Sequence, residues 1–176
     1  MNGCDDDLPA APAWLDLERL GEGEPYAKLR VQVALVRDPA VAHYPRIHSS
    51  ADVYRDFAEL RRLDRECFLV LMLDGKHRVT GLNTVSIGCL QGTPVHPREV
   101  FKPAILANAA AIIVLHNHPS GDPTPSREDR EITDRLRSCG EMLGVPLLDH
   151  IVMGADGYYS FADGGGLPRT GGTHGQ

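Results

Sequence analysis

The sequence predicts an α/β fold, a mixed β-sheet flanked by helices and built as a single domain. Two observations carry this expectation. Glu66–Leu73 (ECFLVLML) and Ala109–Leu115 (AAAIIVL within its flanks) are nearly unbroken apolar runs, the pattern of strands buried on both faces. Around them, Ala51–Leu63 and the stretch after Ser126 place apolar residues at helical spacing. With the other segments, the element order reads β-α-β-β-α-β-α-β-β.

Residues 1–25 hold acids, prolines, alanines, Gly21 and Gly23, and read as a flexible lead-in with Trp14, Leu15 and Leu20 as docking points. Lys28–Arg37 alternates Leu29, Val31, Val33 and Leu35, which predicts a half-buried strand. Asp38–Arg46 is a connection. Ser49 and Ser50 offer a cap to the helix Ala51–Leu63, whose apolar positions are Val53, Phe57, Leu60 and Leu63. The strand Glu66–Leu73 follows, and Asp74-Gly75-Lys76 is a hairpin turn into the strand Arg78–Ile87. After a loop to Pro94, His96-Pro97 opens a helical stretch through Asn108. Proline inside a helix costs roughly 3 kcal/mol, so a break is expected, with a second short helix starting at Pro103.

The strand Ala109–Leu115 leads into a stiff loop set by Pro119, Gly121, Pro123 and Pro125. Ser126 is a good N-cap for the next helix, whose inner face carries Ile132, Leu136 and Leu143 until Gly144 and Pro146 end it. Pro146–Met153 is a strand, Asp156-Gly157 a turn, and Tyr158–Phe161 the last strand. The sequence from Ala162 on is glycine-rich and expected to be disordered, and the domain is bounded at 26–168, with 169–176 as a tail.

The chemistry concentrates where the second apolar strand ends. His116 and His118 are two apart, so extended backbone points both imidazoles the same way. Asp129 precedes Ile132 by three and shares its helix face, so it looks inward toward the strand end. Two imidazoles and a carboxylate are the three ligands of a catalytic zinc that keeps its fourth position open. Iron or manganese suit the same donors. A structural zinc would take four ligands, usually with cysteine, and Cys4, Cys67, Cys89 and Cys139 show no CxxC spacing. Taken alone, H-x-H is common and S-x-x-D usually marks a capping box. The combined spacing H-x-H-x(7)-S-x(2)-D is what singles this stretch out.

His116, His118, Ser126 and Asp129 match the metal motif of the JAB/MPN (JAMM) metalloproteases. The wider string HNHPSGDPTPS-x-x-D, followed by Leu148-Asp149-His150-Ile151-Val152, resembles the RadC branch of that superfamily over roughly residues 47 to 168. The contiguous tripeptide HNH is not the HNH-nuclease motif, which spreads its residues over a hairpin and helix. The resemblance implies the MPN (cytidine-deaminase-like) fold, a zinc ion, and hydrolysis of a peptide or isopeptide bond, often at the C-terminus of a ubiquitin-like protein. It implies His116, His118 and Asp129 as metal ligands and Glu66 as general base, because Glu66 occupies the upstream glutamate's place on the strand after the first helix. Glu99 competes, although an acid in a first helical turn is favoured by the dipole alone. Ser126 is implied as donor to the oxyanion, with the N-cap reading competing for the same hydroxyl. Asn117, Pro119, Ser120 and Gly121 read as shaping residues and Asp122 as a loop carboxylate. Asp149-His150 reads either as support for a ligand histidine or as an ordinary satisfied pair. His77 and His96 read as surface or cap residues.

Composition limits the alternatives. At 176 residues and 42% hydrophobic, the chain can build a proper core. The net charge of −6 and a pI near 5.7 are the wrong direction for wrapping nucleic acid. Lys28-Leu29-Arg30 and Arg61-Arg62-Leu63-Asp64-Arg65 are short, interrupted basic stretches without interleaved aromatics. A nucleic-acid role therefore stands as the second expectation, weakened because residues 1–25 do not resemble the helix-hairpin-helix segment found in many RadC members. A non-catalytic interaction module stands third. No apolar run reaches about 18 residues, so no membrane partner is expected. The acidic start lacks the form of a signal peptide, and four scattered cysteines fit a cytoplasmic protein.

Overall fold

The computed structural model of the chain describes residues 46–88 and 95–167. The expected lead-in, the strand Lys28–Arg37, most of the connection to Arg46, most of the loop to Pro94 and the tail beyond 168 lie outside the described residues.

Within them, five strands form one mixed sheet: β1 (Cys67–Leu73), β2 (Val79–Ile87), β3 (Ala111–Asn117), β4 (Leu147–Met153) and β5 (Tyr158–Ser160). The spatial order is β2-β1-β3-β4-β5. β1 pairs antiparallel with both β2 and β3, β3 pairs parallel with β4, and β4 pairs antiparallel with β5. Every residue of β1 and of β3 is buried, as the continuous apolar runs require. The one parallel pair is joined through a helix, as a parallel crossover demands.

Strand alternation divides the core in two. Phe68, Val70 and Met72 of β1, with Ile112 and Val114 of β3, pack against α2 (Pro97–Leu106) and α3 (Arg127–Leu143). Leu69, Leu71 and Leu73, with Ile113 and Leu115, pack on the opposite face against α1 (Ser50–Asp56) and the 3-10 turn Ala58–Arg62. Each fully buried aliphatic or aromatic side chain contributes roughly 1.5–3 kcal/mol, which makes this strand register hard to shift.

The structure corrects four local expectations. The helix expected over Ala51–Leu63 is α1 capped by Ser49, then a break at Phe57, then the 3-10 turn. No second helix starts at Pro103; α2 runs through it, because Val100, Phe101 and Ala104 anchor the inner face while proline removes a single N–H donor. Leu143, expected on the inner face of α3, is 47% exposed; Leu136 faces inward as expected, joined by Thr133 and Gly140. The segment Ala162–Leu167 is folded rather than disordered, closed by bonds from Gly164 N to Ser160 O and Gly166 N to Phe161 O, with Leu167 buried in the core.

Candidate metal centre

β3 carries the centre at its C-terminal end. His116 is on the face that packs against α2 and α3 and is fully buried. The backbone turns after Asn117, where His118 N donates to Met153 O at the end of the parallel partner β4. The side chain of His118 comes round to His116, with their Nε2 atoms 3.0 Å apart. Asp129 enters from the first turn of α3, with Oδ1 3.1 Å from His116 Nε2 and Oδ2 3.4 Å from His118 Nε2. One ligand atom from each of the three lies within 4.8 Å of the others.

The position of Asp129 follows from the helix start. Ser126 caps α3 with its hydroxyl accepting from Asp129 N at 3.0 Å, and Asp129 Oδ2 accepts from Ser126 N at 2.7 Å, a reciprocal capping box. The Ser126 hydroxyl also donates to the same carboxylate, with its Oγ 2.7 Å from Oδ2. The capping reading of Ser126 is therefore realised, and it orients the carboxylate that faces the histidines.

Hydrogen bonding around the rings fixes which nitrogens carry protons. Thr133 Oγ1 donates to the carbonyl of Asp129 at 2.5 Å, since a carbonyl only accepts. It then accepts from Nδ1 of His150, 2.6 Å away, which leaves His150 Nε2 as the acceptor for His116 Nδ1–H at 2.9 Å. His118 Nδ1 lies 2.8 Å from the carbonyl of Asp122 and must donate to it. With Nδ1–H of the two rings committed to His150 and to the Asp122 carbonyl, the Nε2 atoms of His116 and His118 are the ring nitrogens that face each other and the Asp129 carboxylate. Two imidazoles and a carboxylate gathered in this way are a donor set that a metal ion takes.

Its dimensions suit one. Ligands at about 2.0–2.1 Å from a tetrahedral metal lie about 3.3 Å from each other. The His116–His118 and His116–Asp129 separations of 3.0 and 3.1 Å are close to that edge, and one donor atom from each of the three residues lies within 4.8 Å of the others. His116, His118 and Asp129 can therefore hold a metal ion.

Electrostatics agree. Burial pushes the Asp129 carboxyl up, but hydrogen bonds from His116, His118 and Ser126 outweigh it and hold the acid far below the usual carboxylate range. The bond to Asp129 raises His118, with smaller contributions from the Asp122 carbonyl and the charge of Glu66. Burial, aided by the neighbouring His116, drives His150 well below its ordinary value and keeps it neutral. Phe68 stacks on His116 at 5.6 Å between centroids, and Phe161 on His150 at 5.0 Å, so the histidines sit against apolar walls.

Glu66 stands immediately before β1, half-buried, near enough for its charge to act on His118. Glu99 is exposed in the first turn of α2 with its carboxylate on Arg98. Asp149 is buried and accepts from Ser160 Oγ, His150 N and Ala162 N, so it supports β4 and the closing turn rather than a ligand. His150 does support one. His96 caps α2, and His77 is exposed in the β1–β2 turn. Asp122 is exposed and holds its own loop through Thr124. Sequence reasoning missed Thr133, whose signal was its place one turn after Asp129 on the same helix face.

Comparison with known proteins agrees with this geometry. The family model described as RadC-like JAB domain matches residues 47–167. A UPF0758 protein of Thermotoga maritima is 50% identical over 122 residues, covering 69% of this chain and 55% of the relative. A UPF0758 protein of Trichlorobacter lovleyi is 54% identical over 121 residues, 68% of this chain and 53% of the relative. One of Geotalea uraniireducens is 50% identical over 121 residues, with the same two shares. The chain spans about half the length of the curated relatives it matches. From the motif, the mixed sheet and this match, the chain belongs to the RadC-like JAB domain family.

Proposed function

We propose that the chain is a zinc-dependent hydrolase of peptide or isopeptide bonds. The observation that carries the reading is the convergence of one donor atom each from His116, His118 and Asp129 at the C-terminal end of β3, beside a glutamate. Bound zinc would supply Lewis acidity and bring the pKa of water toward about 7.

The chain's own residues supply the rest. Glu66 takes a proton from the attacking water and returns it to the leaving amine. Ser126 donates to the oxyanion of the tetrahedral state. That role requires its single proton to turn away from Asp129 Oδ2, which keeps its bond from Ser126 N. The apolar walls of Phe68 and Phe161 keep water from the back of the histidine cluster. Partners of this reading are peptide or protein substrates, ubiquitin-like ones included, in the cytoplasm.

A nucleic-acid substrate has less support. Arg61 is held on Tyr54 and the Ala155 carbonyl, and the exposed Arg62 is paired with Glu59, so this short basic stretch is partly neutralised. The test is hydrolysis of a panel of peptide and isopeptide-linked fluorogenic substrates by the zinc-loaded protein. Cleavage that falls by about 10²- to 10⁴-fold in Glu66→Ala while the metal stays bound supports the reading; cleavage undiminished in Glu66→Ala, or absent from the wild type, contradicts it.

A further inference from the structure

Between the two histidines, Asn117 faces the other way. Strand alternation turns it to the face of α1 and the 3-10 turn, where it is fully buried. Its Nδ2 donates to the carbonyls of Leu63 at 3.3 Å and Arg65 at 3.0 Å, and its Oδ1 accepts from Cys67 N at 2.8 Å. The bonded groups at Arg65 and Cys67 are the two backbone groups that flank Glu66. The Glu66 carbonyl itself accepts from Gly88 N at 2.7 Å, so it belongs to the ladder toward β2.

The place of this clasp is informative. The β1–β3 register begins at Phe68 opposite His116, so the ladder stops short of Glu66. One residue further, the Asn117 side chain takes over from the backbone. An amide is needed there: it offers an acceptor to an N–H and donors to two carbonyls from one short side chain. A carboxylate would turn acceptors on the Leu63 and Arg65 carbonyls, and a serine has one proton to give.

We propose that Asn117 is a positioning residue, one that sets where the Glu66 carboxylate stands relative to the metal. The proposal rests on the hydrolase reading, with Glu66 as its base. The same residue that separates His116 from His118 in the chain tethers both sides of Glu66. Ligand spacing and base position are thereby coupled through one side chain. A base displaced by about 1 Å loses on the order of a hundredfold in rate.

The experiment compares wild type, Asn117→Ala, Asn117→Asp, Glu66→Ala and the Asn117→Ala/Glu66→Ala double variant. Each is loaded with zinc for turnover and with cobalt(II) for visible absorption, which reports the surroundings of the metal's open position. Asn117→Asp keeps the acceptor for Cys67 N and loses the two donors to the Leu63 and Arg65 carbonyls, so it separates the two halves of the clasp. The expected result is about one metal per chain in all five. Asn117→Ala lowers kcat by about 10- to 100-fold with KM little changed. In the Glu66→Ala background the same change adds less than about twofold, and the cobalt spectrum of Asn117→Ala shifts as that of Glu66→Ala does, with no further shift in the double variant. Additive losses, an unchanged spectrum, or failure of both Asn117 variants to fold or to bind metal would overturn the proposal in favour of a purely structural asparagine. If wild type cleaves no amide yet the spectral coupling is present, the hydrolase reading fails and the positioning stands. If the coupling is absent, the positioning fails whatever the turnover shows.

Discussion

His150 lies with its Nε2 2.9 Å from Nδ1 of His116, and through that bond β4 decides which nitrogen of the His116 ring is turned to His118 and Asp129. Thr133, on α3, anchors the other side of the His150 ring at 2.6 Å and is itself anchored to the Asp129 carbonyl. The helix that supplies the carboxylate thus also sets the tautomer of the histidine opposite it.

Removing the anchor should weaken the metal without emptying the core. Thr133→Val keeps the side-chain shape but leaves His150 Nδ1–H without its buried acceptor. Loss of such outer partners typically lowers metal affinity about 10- to 100-fold. Competition against a chromophoric chelator checks this, with Ser138→Ala as a surface control on the same helix. Equal affinity in Thr133→Val and wild type would show that the tautomer is set elsewhere.

Gly154 tests the floor beneath the loop that carries His118. His118 N bonds Met153 O and Ala155 N bonds Gly121 O, so the loop after β4 lies against the loop after β3. A Cβ at Gly154 would meet the Gly121 carbonyl and come within 2.6 Å of Pro123 Cδ and 2.9 Å of Pro123 N. Gly154→Ala should therefore destabilise by about 1–3 kcal/mol in urea unfolding, as overpacking does. It should also lower metal affinity by displacing Asp122, whose carbonyl holds His118 Nδ1. Gly157→Ala is the matched control, since a Cβ there meets nothing within 4 Å.

Asp149 gives a pH prediction. Burial raises its carboxyl above the ordinary value, and the bonds from Ser160, Ala162 and His150 only partly offset this. The unfolded chain then releases this proton at lower pH than the folded one. The stabilisation is complete below the unfolded pKa of about 3.9 and is lost as pH rises through the raised folded value. Asp149→Asn can keep the two backbone bonds on Oδ1 and donate to Ser160 Oγ. Its unfolding free energy should not fall over that window, while that of the wild type should. Parallel pH profiles for the two proteins would contradict the assignment.

Much of this arrangement was legible in the residues. The strand period of two placed His116 on the inner face of β3, and the helical period put Asp129 on the inward face of α3. His118, expected on the same extended backbone, lies past the strand end, where the chain turns and brings its ring back to His116. Residues whose roles depend on a third element were less legible. Thr133 matters because His150 arrives from β4, and Asn117 because the chain after the 3-10 turn passes beneath it. No local pattern encodes either meeting. The misjudged elements share a cause as well. The inner face of α2 outweighed the proline penalty at Pro103, and burial of Leu167 folded a glycine-rich stretch that composition alone makes loose.

The central claim is that His116, His118 and Asp129 hold a metal. The most direct measurement is metal content per chain by mass spectrometry, after supply of zinc, for wild type and His118→Ala. The account predicts about one zinc per chain in the wild type and its loss in His118→Ala, since three ligands drop to two. No metal in either protein would contradict it and would leave the fold as a binding module without this chemistry.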